Sequence, residues 1–92
     1  MVSEVIGKHG NPSAVSVGAM GPTDKQFVTG MTLYYDDINV TLGLAEQKSG
    51  MFDLEPTTLV DGIEYNDQNS YDLSRKYCQP WNGYGVYEQW NP

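Results

Sequence analysis

The chain has 92 residues, 39% of them hydrophobic, and carries 12 acidic against 5 basic residues, a formal net charge of −7. This length supplies material for one domain, and the charge should repel nucleic acid and anionic membranes, so neither is an expected partner. No run of about 18 apolar residues is present, so the sequence predicts no transmembrane helix.

The hydrophobic core is expected to be thin. Only 19 of the 92 residues are Val, Leu, Ile or Phe, and tyrosine and tryptophan add 9 more residues that can be buried. Cys78 is the single cysteine, which excludes an internal disulfide. A domain this small often gains stability by association, so we expect self-association or a protein partner.

The start of the chain lacks the basic residues and apolar run of a signal peptide. A lone cysteine also fits folding in a reducing compartment. The sequence therefore predicts a protein that is cytoplasmic when it is made.

The first 24 residues are rich in Gly, Ser, Pro and Ala. Residues 2–6 and residues 14–17 are each predicted to form a short strand, separated by Gly and Pro punctuation. We expect residues 1–24 to be a glycine-rich arm laid on a neighbour or an irregular edge of the sheet. Residues 25–92 are predicted to be a single β-rich domain.

The clearest periodic pattern lies in Phe27–Leu44. Apolar residues alternate with polar or small ones in Met31–Tyr35 and again in Ile38–Leu44, which is typical of half-buried strands. The pair Asp36-Asp37 between them is predicted to be a two-residue turn. This stretch is therefore predicted to be a hairpin with one apolar face.

A second hairpin is predicted at residues 57–66. Asp61-Gly62 separates the apolar stretches Thr57–Val60 and Ile63–Tyr65, and an Asp-Gly pair in that setting is a strong hairpin signal.

Past this hairpin the pattern changes. Ser70 or Asn69 is predicted to cap a short helix over Tyr71–Tyr77, and Val86–Glu88 is predicted to be a last strand. The fold class is thus mainly β: a small antiparallel sandwich or barrel built on two hairpins, with at most one short helix near 71–78.

Aromatic residues concentrate in the last third of the chain and are mixed there with Asn, Gln and Gly. Such a mixture suits a protein interface or a sugar site, and it is equally what a core short of aliphatic residues would use. If it is an interface, tryptophan and tyrosine are the expected anchors. The predicted interaction surface consists of Trp81, Tyr84, Tyr87 and Trp90.

No set of residues with catalytic spacing is evident. Cys78 and His9 are far apart in sequence and no local pattern pairs them. Asp36 and Asp37 are read as turn residues. The oxygen-rich segment 61–72 offers the kind of ligand that Ca²⁺ prefers, but its spacing matches no EF-hand loop, and whether it binds calcium stays open. The sequence predicts no catalytic residue, no metal site and no cofactor.

The function predicted from these observations is non-enzymatic: a structural or interaction protein within a larger assembly. A viral (phage) virion accessory or decoration protein fits the composition. Two alternatives stay open. One is an acidic inhibitor or decoy that binds a basic site on a host enzyme, and the other is a carbohydrate-binding module.

Overall fold

The computed structural model describes residues 1–20, 28–45, 47 and 51–88 of the chain. These residues form two short helices, α1 and α2, and seven strands, β1 to β7. Every strand pair among them is antiparallel, so the predicted mainly β, antiparallel fold is confirmed. The elements in chain order are α1 (Val2–His9), β1 (Ala14–Met20), β2 (Val28–Tyr35), β3 (Val40–Leu44), β4 (Met51–Leu54), β5 (Val60–Tyr65), α2 (Gln68–Arg75), β6 (Gln79–Pro80) and β7 (Gly85–Glu88).

The described strands form two sheets, and neither closes into a barrel. The larger sheet has the order β5-β3-β2-β1-β6, and the smaller one consists of β4 and β7. Buried residues of both sheets and of α1 belong to one hydrophobic core. The strands β5 and β6 are the two edges of the larger sheet.

The first predicted hairpin is present as β2 and β3, which pair up to Tyr35 and Val40. Its turn is longer than the predicted Asp-Asp pair, because the four residues 36–39 join the strands. The amide of Ile38 donates to the carbonyl of Tyr35 (3.4 Å), and Asn39 takes a positive φ of 52°. Asparagine tolerates this left-handed region better than most residues, so Ile38 lies in the turn and not in a strand.

The second predicted hairpin, at residues 57–66, is wrong. β5 runs straight through Asp61-Gly62 and pairs with β3. Gly62 faces Gly43, whereas Val60 faces the next β3 residue, so Asp61 is the extra residue of a β-bulge. A two-residue Asp-Gly turn needs positive φ at both residues, and neither has it.

The strand predicted at residues 2–6 is also wrong, because these residues lie in α1. Val2, Val5 and Ile6 are spaced so that they share one side of a helix. Val2 is fully buried and the other two pack against the core. In a strand, Val5 would face away from Val2 and Ile6, so only the helix buries all three on the same side.

The strand predicted at residues 14–17 is confirmed as part of β1. This strand pairs with β2 on one side and with β6 on the other, and Val15 and Val17 are buried. The described part of the region predicted as an arm or sheet edge, residues 1–20, thus supplies a helix and an inner strand. The predicted boundary at residue 24 lies outside the described residues.

The short helix predicted near 71–78 is present as α2, but it begins earlier, at Gln68. Its N-cap is Asp67 and not the predicted Ser70 or Asn69. The Asp67 carboxylate accepts a hydrogen bond from the backbone amide of Ser70 (2.8 Å), which satisfies one of the free amides in the first turn.

One face of the larger sheet forms the core. Val15, Leu33 and Leu42 lie in one row across β1, β2 and β3 and are at most 2% exposed. Phe52 of β4 and Tyr87 of β7 belong to the same buried cluster. The smaller sheet and α1 therefore cover the central strands of the larger sheet.

Candidate functional site

The row of core residues continues into β5, but there the cover ends. Ile63 pairs with Leu42, and Tyr65 pairs with Val40, so the two members of each pair lie on the same face. Ile63 is 57% exposed and Tyr65 82% exposed, against 2% and 6% for their partners. The margin of the core face along β5 is thus open to solvent.

A groove with a cavity volume of about 130 Å³ lies along this open margin, between α1 and β5. Val5 and His9 of α1 line one part of it, and side chains of β5 line another. The exposed Ile38 of the β2–β3 turn also lines it, and buried residues of β2 and β3 form its floor: Tyr35, Val40 and Leu42. We call this surface the β5 groove and define it by Val5, His9, Ile38, Ile63 and Tyr65.

Hydrogen bonds fix α1 beside this groove at both ends. At the start of the helix, the amide of Val2 donates to the carbonyl of Thr58 (2.7 Å), just before β5. At its end, Gly10 adopts a positive φ of 82°, and the Tyr35 hydroxyl donates to the Gly10 carbonyl (3.0 Å). Both ends of α1 are therefore hydrogen-bonded to the rest of the domain, and the helix forms a fixed wall of the groove next to β5.

β5 also presents an edge that no described strand pairs with. Among the described residues this strand pairs only with β3, so the backbone groups on its other side have no strand partner. Such an edge is a template for pairing with another chain. The bulged Asp61 and the exposed Glu64 place negative charge along it, which is one way in which proteins guard an edge.

A polar cluster on the opposite face holds α2 against the sheet. Asp36 Oδ1 accepts from the Tyr71 hydroxyl (2.6 Å) and from Arg75 Nε (3.0 Å), and Asp36 Oδ2 accepts from Arg75 Nη2 (3.3 Å). The Tyr71 ring, 3% exposed, packs edge to face on Tyr34 with centroids 5.6 Å apart. These contacts give Asp36 a structural role at the turn.

The same cluster shifts the pKa values of its members. Hydrogen bonds from Arg75 and, to a smaller extent, from Tyr71 lower the pKa of Asp36, while partial burial opposes them. Burial and the bond to the Asp36 carboxylate raise the pKa of Tyr71. The phenol therefore stays protonated and donates, and the carboxylate stays charged and accepts.

Three of the four residues predicted as an interaction surface are described, and they lie in different environments. Tyr87 is 4% exposed and belongs to the core. Trp81 packs partly buried against that core, with its ring stacked on Tyr87 at a centroid distance of 6.4 Å. Tyr84 is 43% exposed and stands edge-on to Trp81 at 75°, so these two rings form no flat platform. Trp90 lies outside the described residues.

Tyr87 also holds the loop before β7 in shape. Its hydroxyl accepts from the backbone amide of Asn82 (2.8 Å) and donates to the carbonyl of Gly83. Gly83 takes a positive φ of 79° there, a conformation that favours glycine. The tyrosine thus buries its ring and satisfies the loop with its polar tip.

The structure places Cys78 and His9 in different surroundings. Cys78 Sγ donates to the Ser74 carbonyl (3.8 Å), and burial raises the pKa of its thiol. A raised pKa leaves little thiolate at neutral pH, and the thiolate is the reactive form. His9 lines the β5 groove instead.

In the ranges that the structure describes, no group of three or more His, Cys, Asp or Glu residues is placed to hold a metal ion. None of the described helices has the length and apolar character needed to cross a membrane.

The sequence contains signals for both walls of the β5 groove, but they were outweighed by the glycine and proline residues near α1 and by the Asp-Gly pair in β5. Val2, Val5, Ile6 and His9 follow helical spacing. Ile63 and Tyr65 alternate with Glu64 as in a strand, but the preceding Asp-Gly pair favoured a turn. If residues 2–9 are assigned to a helix and residues 60–65 to one strand, the sequence identifies the two elements that line the groove.

No family model, curated protein or solved structure matches the chain.

Proposed function

We propose that this protein is a non-enzymatic interaction protein of a larger assembly and that it binds a protein partner through the β5 groove. The observation that carries the proposal is the exposure of Ile63 and Tyr65 on the face that elsewhere forms the core. Contiguous exposed apolar surface of this kind on a small domain marks interaction sites.

The composition supports the same function. The chain has few large aliphatic residues, and small domains gain stability when a partner buries further apolar surface. A partner in the β5 groove would extend the core by one more row of side chains. The apolar lining favours this function over an acidic decoy, which would act through a charged face.

The narrower proposal is a virion accessory or decoration protein. Its support is the small, acidic, thin-cored chain, together with the exposed apolar β5 groove.

Site-specific photo-crosslinking tests the proposed surface. A benzophenone amino acid replaces Tyr65, 82% exposed in the groove, and separately replaces Tyr77, 64% exposed after α2. Both variants are made in the cells from which the sequence comes and are irradiated there. We expect one discrete adduct from position 65 and none of that mass from position 77.

A third variant sharpens the test. Ile63→Thr keeps a β-branched residue in the strand but removes apolar surface from the groove, and it should abolish the adduct from position 65. An identical adduct from both positions, or none from position 65, would contradict the proposal.

A further inference from the structure

We infer that the β5 groove takes an extended segment of another protein, with alternating apolar and basic residues, which pairs with the open edge of β5 as an added strand. This inference rests on the proposed function and specifies the chemistry of the partner. It depends on three features that meet at β5: an unpaired backbone edge, apolar side chains on one face and acidic side chains beside them.

The backbone edge is the first feature. β5 offers six residues, about 20 Å of strand, and its outer side pairs with no described strand. An extended peptide can add to such an edge through main-chain hydrogen bonds, which supply affinity independent of sequence. A helix in the groove would leave these backbone groups unpaired.

The apolar groove is the second feature. An added strand would lie about 4.8 Å from β5, with every second side chain on the face of Ile63 and Tyr65. Those side chains would enter the space beside Val5 and His9 of α1. The groove therefore selects apolar residues at alternate positions of the incoming segment.

Charge is the third feature and decides between a second copy and a different partner. Asp61 and Glu64 lie on β5 itself, both exposed, and the whole chain carries −7. Pairing β5 with β5 of a second copy would bring these acids into one short ladder, and like charges across strands are destabilising. Lysine or arginine on the incoming strand would pair with them instead.

Synthetic peptides test the inference with the full chain. The probe is a blocked seven-residue peptide of alternating lysine and valine, used at micromolar concentration with a fluorescent label. Three kinds of matched peptide accompany it. One replaces lysine by glutamate, one groups the same residues into a lysine block and a valine block, and one is N-methylated.

The N-methylated peptide is made in two forms. Methyl groups are placed on one alternating set of amides or on the other set. Only one set can face β5 in an added strand, since the amides of a strand point alternately to its two sides.

We expect the alternating lysine–valine peptide to bind at least about tenfold more tightly than the block and glutamate peptides. One N-methylated form should lose binding and the other should keep it. Hydrogen exchange should slow at amides of residues 60–65, and binding should weaken at high salt, because exposed charge pairs are screened. Ile63→Thr should weaken binding, while Leu73→Gln, 62% exposed on α2, should not.

Four results would overturn the inference. Equal binding of both N-methylated forms would exclude an added strand, and equal binding of the glutamate peptide would exclude the charge argument. Failure of every peptide to bind would also count against it. If no peptide binds but the crosslink from position 65 persists, the added-strand inference fails and the proposed binding surface stands. A crosslinked product with the mass of two copies of the chain is the fourth result, because the groove would then hold a second copy and not another protein.

Discussion

Two neighbouring strands of one sheet, β3 and β5, present large side chains to the same face, but those of β3 are buried and those of β5 are exposed. Leu42 of β3 is 2% exposed, whereas Ile63, directly opposite it on β5, is 57% exposed. Val40 and Tyr65 form a second pair with the same contrast, 6% against 82%. Leu42 and Ile63 are isomeric aliphatic side chains of similar hydrophobicity, so the difference in their exposure lies in what covers them.

The cover itself is asymmetric. Phe52 and Leu54 of β4, with Tyr87 of β7, are buried in one cluster with residues of β1, β2 and β3. α1 adds Val2 and lines the groove beside β5. A core of this size closes over the central strands and leaves the apolar surface of the edge strand exposed.

The largest expected effect is on stability, from a substitution in the buried row of residues across β1, β2 and β3. Leu42→Ala should lower the free energy of unfolding by about 2–5 kcal/mol, because it removes buried methyl groups and leaves a cavity. Ile63→Ala, across the strand pair, should cost less than half as much, since its side chain is already largely in water. Urea unfolding of both variants and the parent chain measures the difference.

Equal losses from Leu42→Ala and Ile63→Ala would show that the β5 margin is covered in solution. Self-association would be the first explanation to check, by repeating the unfolding at two protein concentrations.

The next effect concerns α2, which packs on the opposite face and should not alter the groove. Asp36→Asn weakens the bonds to Tyr71 and Arg75. Since the cluster is partly solvent-exposed, the loss at pH 7 should be no more than about 1 kcal/mol. Peptide binding to the β5 groove should stay unchanged.

The pH dependence of this loss has a definite sign. The folded-state pKa of Asp36 lies below its ordinary 3.8. The stabilisation is therefore complete above that ordinary value and disappears as pH falls through the lower, folded-state pKa. Unfolding measured from pH 7 down to pH 2 should show parent and variant converging at the acid end.

Asp37→Asn, in the same turn, is the matched control for Asp36→Asn. It removes the same charge and should change stability by less than about 0.5 kcal/mol. A loss at Asp37 as large as that at Asp36 would mean that net charge, and not the α2 contact, sets the effect.

The smallest effect on stability, with the most specific consequence, is expected at the guarded edge. Glu64→Thr should leave the free energy of unfolding within about 0.5 kcal/mol but permit β5 to pair with a second copy. Light scattering should then show a mass that rises with concentration. Glu88→Thr, an exposed acid on β7, removes the same charge and should stay monomeric.

If Glu64→Thr and Glu88→Thr associate equally, net charge rather than the charge on this edge keeps the chains apart. That outcome would weaken the charge argument for a basic partner strand.

The local sequence pattern was sufficient to predict the elements whose formation depends mainly on neighbouring residues. The alternation in Met31–Tyr35 and Ile38–Leu44 predicted the β2–β3 hairpin, and the breaks around residues 71–78 predicted α2. The period-two alternation predicted a mainly β fold. These features follow from periodicity and capping, which act over a few neighbouring residues.

Only the tertiary structure decided the rest. Asp61-Gly62 has strong turn propensity, yet pairing of β5 along β3 outweighs it and absorbs Asp61 as a bulge. Period two marks Ile63 and Tyr65 as sharing a face, but not whether anything covers that face. Burial depends on where distant segments pack, here α1 and the β4–β7 sheet, and that arrangement left the candidate site open.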